Sequence, residues 1–225
     1  MKVGLLIIAT NKYISFLDNL IKSADNHFLQ DHDVTYFVFS NVDVSVESKR
    51  NIVLSKIEHK PWPWMTLGRY DIFSGHSKIL EEMDYLFYCD VDMRFEGSVG
   101  PEILSDRVAT QHPGYYGTSG TPETRPESKA YLNSKNHKEY FAGGFNGGSS
   151  KEFLTMSKIL SENIHEDLSK KIIAIWHDES HMNRYFFDNP PTKILNPGYC
   201  YPENKVLSFD KKLVALNKNH AEMRK

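Results

Sequence analysis

Tyr85-Leu86-Phe87-Tyr88-Cys89, followed by Asp90-Val91-Asp92, decides how this chain is read. Five apolar or aromatic residues in a row, too short for a helix, predict a buried strand. Two carboxylates stand where that strand leaves its sheet. In open α/β sheets, ligands gather at the carboxyl ends of the strands, and Asp90 lies at such an end. From there both acids can converge on one point, offering the oxygen ligands that a hard cation such as Mn²⁺ or Mg²⁺ prefers, with substrate phosphates completing the shell. The same acids suit a solvated turn, because Asp is favoured there. The triplet alone supports both readings.

Working outward, Val3 to Ala9 reads as another buried strand. A helix of about four turns follows, its apolar face carried by Phe16, Leu17, Leu20, Ile21, Ala24 and Phe28 at spacings of three and four. Val34 to Phe39 is a second strand, Ile52 to Ile57 a weaker third, and Arg69 to Met83 a second helix. Strand and helix alternate, which predicts an α/β fold with a mostly parallel central sheet and crossover helices. The stretch 111–150 is richer in Gly, Pro, Ser, Thr and Asn and less regular. There a loop over Asn146–Ser150 is expected to lead into a helix over Lys151–Ile164. A last helix is expected from Asp178 to Phe187, ending before Pro190-Pro191. The basic tail from Lys211 reads as a mobile arm.

Composition narrows the class. With 225 residues, 40% of them hydrophobic, and no Pro/Gly/Ser-rich linker, the chain fits one domain with a sizeable core. A formal net charge of −2 argues against a nucleic-acid partner. Two cysteines, Cys89 and Cys200, make no disulfide framework, so a reducing compartment, the cytoplasm, is expected. The N-terminal apolar run is short and lacks a small-residue cleavage site, and no stretch reaches the roughly 18 apolar residues of a membrane span.

Three further segments could carry chemistry. Trp176-His177-Asp178-Glu179 gathers an indole, an imidazole and two carboxylates at a helix start. Asp178 would suit an N-cap, Glu179 the dipole of a first turn and Trp176 the core; the same group would suit a sugar site. Gly143-Gly144-Phe145-Asn146-Gly147-Gly148 matches neither a dinucleotide fingerprint nor a Walker loop. Its glycines imply close backbone approach or unusual torsions, or else a flexible surface loop. The tail around Lys218 is either solvated charge or a lid for an anionic ligand. The histidines form no zinc pattern.

Taken in order, Asp90-Val91-Asp92-Met93, His112-Pro113-Gly114-Tyr115-Tyr116-Gly117, Gly143-Gly144-Phe145 and Trp176-His177-Asp178-Glu179-Ser180-His181 resemble family 6 glycosyltransferases. That family includes the histo-blood-group A and B transferases and the α-1,3-galactosyltransferases. The similarity runs from Ala9–Leu17 to Lys218-Asn219-His220. It implies a single GT-A domain: a nucleotide-binding half over 1–92, an acceptor and catalytic half over 93–210, and a closing arm over 211–225. It also implies a UDP-sugar donor, a galactoside acceptor and an α-1,3 linkage formed with retention.

Carried over residue by residue, Ile8-Ala9-Thr10 and Tyr13 match the uridine site, with the tyrosine ring on uracil. Trp62 and Arg69 match a stretch whose arginine contacts the donor sugar. Asp90 and Asp92 match the metal and diphosphate ligands, and Val91 the ribose contact. His112, Thr121 and Trp176 match acceptor contacts; the segment between the first two is shorter here. His177 and Asp178 match donor-sugar contacts. Glu179 matches the proposed nucleophile, which also borders the acceptor. Lys218 and Arg224 match the tail residues that close over the diphosphate. Ala142-Gly143-Gly144 matches the donor-selecting segment, where the missing side chain at Gly144 leaves room for an N-acetyl group and favours UDP-GalNAc over UDP-Gal. Pro202, with Glu203 beside it, stands where the family has an acceptor-contacting aspartate. Animal relatives carry a membrane anchor and stem; here the pattern starts at residue 3, so no anchor is expected. An inverting GT-A transferase and a non-catalytic UDP- or glycan-binding module are the competing readings.

Overall fold

In the computed structural model, which describes residues 1–133 and 138–223, the N-terminal apolar run is strand β1 (Lys2–Ile8). A 3-10 turn over Asn11–Phe16 leads into helix α1 (Leu17–His27), followed by β2 (Asp33–Ser40) and β3 (Asn51–Lys56). Three short helices come next, α2 (Trp64–Leu67), α3 (Arg69–Gly75) and α4 (Ser77–Leu80), then β4 (Tyr85–Cys89) and β5 (Met93–Phe95). β6 (Arg107–Gln111) and β7 (Phe141–Ser149) precede helices α5 (Ser150–Ser169) and α6 (Asp178–Asp188). The order ends with β8 (Lys193–Leu195), β9 (Tyr201–Pro202), β10 (Leu213–Ala215) and α7 (His220–Met223).

The main sheet has seven strands in the order β3-β2-β1-β4-β7-β6-β8. Only β7 runs antiparallel to its neighbours; the remaining pairings are parallel, as a GT-A fold requires. Alternation along β1 divides the core. Val3, Leu5 and Ile7 pack with Leu17, Leu20, Ile21 and Ala24 of α1. Leu6 faces the other way, toward Phe37, Phe39, Phe73 of α3, Phe153 of α5 and Met182 of α6. Each such fully buried side chain contributes about 1.5–3 kcal/mol. Buried Asp25 of α1 is satisfied by the Tyr36 hydroxyl at 2.9 Å, the Ser48 hydroxyl at 2.8 Å and the Lys49 amide at 3.1 Å, so it ties helix to sheet instead of opposing burial.

Several elements depart from the sequence reading. The helix expected over Arg69–Met83 is broken at Gly75-His76, where the His76 ring donates to the Ile72 carbonyl at 2.7 Å, and its second part stops at Leu80. A glycine costs about 1 kcal/mol in a helix interior and marks where it ends. The helix expected over Lys151–Ile164 runs a turn further, because Asp167 on its buried face finds partners in the Ser128 hydroxyl and the Lys129 amide. Asn146–Ser149 is not a loop but the end of β7, with Ser150 opening α5. Here the glycines serve close approach: a Cβ on Gly147 would lie 2.3 Å from the Phe87 ring, and one on Gly148 2.0 Å from the Asp106 carbonyl oxygen. The arm expected from Lys211 begins with core, since β10 lies between β5 and β9 and Leu213 and Val214 are buried. Beyond it the Leu216 amide donates to the Asp92 carbonyl at 2.9 Å, which leads the tail back to the end of β4.

Candidate active site

A cavity of about 700 Å³ opens at the carboxyl ends of β1 and β4. Of the residues singled out from sequence, Ile8, Thr10, Tyr13, Trp62, Arg69, Asp90, Val91, Asp92, Gly143, Gly144, Trp176, His177, Asp178, Glu179 and Lys218 line it. Ala9 and Ala142 do not. Ala9 is core and holds β1 to β2 through its amide on the Phe39 carbonyl; Ala142 is buried within β7. His112 and Thr121 stand outside the lining. Arg224 lies outside the described residues.

Arg69 opens α3 and organises the buried side of the cavity. Its Nε lies 2.9 Å from Asp178 Oδ2 and its Nη2 3.5 Å from Asp90 Oδ1. Its Nη1 donates to the Gly143 carbonyl at 3.1 Å, and the guanidinium sits 4.3 Å from the centroid of the Tyr88 ring. A buried charge requires such partners, and the planar fork of arginine serves several at once. Of the two roles open to Asp178, helix capping is not the one it takes. His177 occupies the N-cap position and Asp178 turns inward to Arg69. Burial pushes the Asp178 carboxyl up to about 6, with Arg69 opposing that rise. His177 makes the turn with φ 55° and ψ −127°, a strained conformation for a residue with a side chain, and its ring meets Trp62 edge-on at 5.0 Å.

One residue further on, Glu179 Oε2 accepts the Gly143 amide at 2.8 Å. Burial raises this carboxyl to about 7, against the lowering effect of that amide. Asn183, one turn along α6, fixes the contact. It accepts the Phe141 amide at 2.8 Å and donates to the carbonyls of Phe141 and Glu179, both at 2.9 Å. Sequence reasoning missed Asn183, although a polar residue four positions after Glu179 on a buried helix face was the available signal. It also missed His59, whose ring lies 3.0 Å from the Thr10 hydroxyl, and Tyr88, whose hydroxyl donates to Asp90 Oδ1 at 2.5 Å.

At the end of β4 the acids have protein partners. Asp90 Oδ1 faces Tyr88 and Arg69, while Asp92 Oδ2 pairs with Lys218. Lys218 also lies 5.5 Å from the centroid of the Tyr13 ring, and the Lys12 ammonium holds the Glu222 carbonyl at 2.9 Å, so the tail is folded over the cavity mouth. Among the described residues no three His, Cys, Asp or Glu side chains gather as a metal cluster. What remains is a two-carboxylate site. The carboxylate oxygens of Asp90 and Asp92, engaged here by Tyr88, Arg69 and Lys218, are hard donors of the kind that fits Mn²⁺ or Mg²⁺.

Thr121 joins the site indirectly. The Trp176 indole N–H donates to the Thr121 hydroxyl at 2.5 Å, and that hydroxyl donates to the Tyr115 hydroxyl at 3.2 Å. His112 packs against Tyr115 and Tyr140 at 4.8 and 5.8 Å between centroids. Burial first, then Lys205, pushes its imidazole down to about 4, so it is neutral at physiological pH. Pro202, which stands where the family has an acceptor-contacting aspartate, ends β9, and Glu203 beside it accepts the Asn217 amide at 2.8 Å.

The chain matches glycosyltransferase family 6 over residues 1–225. Histo-blood group ABO system transferase 1 of Rattus norvegicus is 38% identical, aligned over 99% of this chain and 68% of that protein. Globoside alpha-1,3-N-acetylgalactosaminyltransferase 1 of Gallus gallus is 31% identical over 100% and 69%. The O-antigen biosynthesis glycosyltransferase WbnI of Escherichia coli is 28% identical over 97% and 95%. No helix among the described residues is long and apolar enough to cross a membrane.

Proposed function

The chain belongs to glycosyltransferase family 6, and from that premise we propose that it is a retaining hexosyltransferase moving GalNAc from UDP-GalNAc to the 3-hydroxyl of a galactoside, in an α-1,3 linkage. The observation that carries this reading is the arrangement around Gly143-Gly144. A Cβ on Gly143 would lie 3.5 Å from Glu179 Oε2, and one on Gly144 3.1 Å from Asp90 Oδ2. Adjacent glycines thus separate the acid suited to act on the anomeric carbon from the acid suited to the leaving diphosphate. A sugar ring in that gap would have both within reach.

Asp90 and Asp92 would hold a divalent cation, which would supply Lewis-acid charge beside the diphosphate. The protein's own groups do the rest. Tyr13 offers its ring to the uracil, and Lys218 transfers its charge from Asp92 to the phosphates, with Arg224 assigned the same task. Asp178 and Arg69 hold the sugar hydroxyls. Glu179, ionised, faces the anomeric carbon opposite the departing UDP, and the acceptor hydroxyl enters on the face that UDP leaves. The absence of a side chain at Gly144, where a Cβ would already lie 3.1 Å from Asp90 Oδ2, supports a donor bearing a C2 N-acetyl group.

The test is turnover of UDP-GalNAc and UDP-Gal with β-galactosides, plain and α-1,2-fucosylated, in Mn²⁺ or EDTA, with product configuration read by NMR. An α-linked GalNAc product is expected. A β-linked product would remove the role of Glu179, a clear UDP-Gal preference would overturn the donor assignment, and full activity in EDTA would overturn the cation.

A further inference from the structure

Glu123 lies outside the cavity, is 3% exposed, and accepts four hydrogen bonds. Its Oε1 takes the amide and Nε of Arg125 at 2.9 and 2.8 Å; its Oε2 takes Arg125 Nη2 at 2.6 Å and the Ile175 amide at 2.9 Å. Arg125 Nη2 also donates to the Ile173 carbonyl at 2.6 Å. The pair therefore grips the segment before α6 at both ends, receiving one amide and supplying one carbonyl with a donor. Asp167 anchors the same two segments from behind, through the Ser128 hydroxyl, the Lys129 amide and, by its carbonyl, the Ile172 amide.

The consequence lies just beyond this grip. Thr121 is two residues before Glu123, and Trp176 follows Ile175. Their side chains meet through the indole N–H. Beyond the isolated bridge from Glu123 to Tyr131, neither segment pairs with a strand among the described residues, so a buried carboxylate with all its acceptor sites engaged sets their separation. We infer that Glu123 and Arg125 are positioning residues for acceptor binding, holding Thr121 where it braces Trp176 at the edge of the cavity. This rests on the reading above, in which that edge meets the galactoside.

The test uses the full chain with UDP-GalNAc and lactose. Glu123→Gln keeps the shape but replaces one acceptor oxygen by an amide donor, leaving a buried N–H unpaired. The expected result is a roughly tenfold higher KM for lactose. The KM for UDP-GalNAc and its acceptor-free hydrolysis should stay within about twofold, because Glu123 touches neither the donor residues nor Glu179. Trp176→Phe, which removes the indole N–H together with one of the two fused rings, should raise the lactose KM, and the double variant should raise it less than the product of the two. Arg125→Lys keeps the charge and provides a milder variant should Glu123→Gln fold poorly; its lactose KM should rise alone. An unchanged lactose KM in either single variant, or a parallel loss of donor turnover in properly folded protein, overturns the inference. Wild-type hydrolysis of UDP-GalNAc with no transfer to any galactoside would instead overturn the proposed function.

Discussion

The two sides of the cavity are built differently. On the donor side, Ile8, Asp90 and Gly143 sit in or at the end of β1, β4 and β7, where backbone ladders fix them to neighbouring strands. On the acceptor side, Thr121 and Trp176 belong to irregular segments held by side chains: Glu123, Arg125, Asp167 and Ser180. A ladder tolerates the loss of any one side chain. A segment held by a few charged groups depends on each of them, and such a segment can be reset without disturbing the sheet.

Substitutions can break this contrast or sharpen it. Glu179→Gln should cost the most, about three orders of magnitude or more in transfer rate by quenched-flow assay. A rate within tenfold of wild type would break the contrast at its centre. Because burial holds Glu179 near 7, kcat/KM should fall as pH drops through about 7, and the Gln variant's residual rate should lack that limb. The stability sign is opposite. The folded carboxyl titrates above the ordinary value of 4.5, so its contribution is present below that value and lost as pH rises toward 7. Glu179→Gln should therefore raise Tm at pH 8 while abolishing activity.

Arg69→Lys comes next. An ammonium cannot meet Asp90, Asp178 and the Gly143 carbonyl together, so activity should fall by roughly a hundredfold and stability by about 3 kcal/mol, read from kinetics and thermal melts. Gly144→Ala should lower kcat/KM for UDP-GalNAc relative to UDP-Gal by about tenfold. Thr121→Val should be smallest, with a rise of about threefold in acceptor KM and an unchanged donor KM. A donor effect as large as the acceptor effect would show that the two sides are not separable.

The same contrast explains what could be read from the sequence. β1, β2 and β4 announced themselves as apolar runs, and Asp90 and Asp92 as acids at a strand end, because both signals are local. The periodicity over Arg69–Met83 suggested one helix, since its apolar spacing carries across Gly75-His76 and only the backbone break interrupts it. Asn146–Ser150 reads as a loop because its glycines oppose a strand; what permits the end of β7 there is the closeness of Phe87 on β4 and of Asp106 just before β6. His59, Glu123 and Arg125 were invisible for a related reason. Their partners Thr10, Ile175 and Ile173 lie between 48 and 52 positions away, and no local pattern encodes such pairings.

The run Gly143 to Gly148 also says where an engineer has freedom. A side chain at 147 or 148 would collide with Phe87 or with the backbone at Asp106, so any library that varies those positions samples mostly misfolded protein. At 143 and 144 a Cβ would meet only side-chain atoms, at 3.5 and 3.1 Å, within the range that neighbours can yield. Six consecutive residues thus contain two positions closed by the architecture and two open to selection. Screening for new sugar preferences in this scaffold should be confined to the open pair.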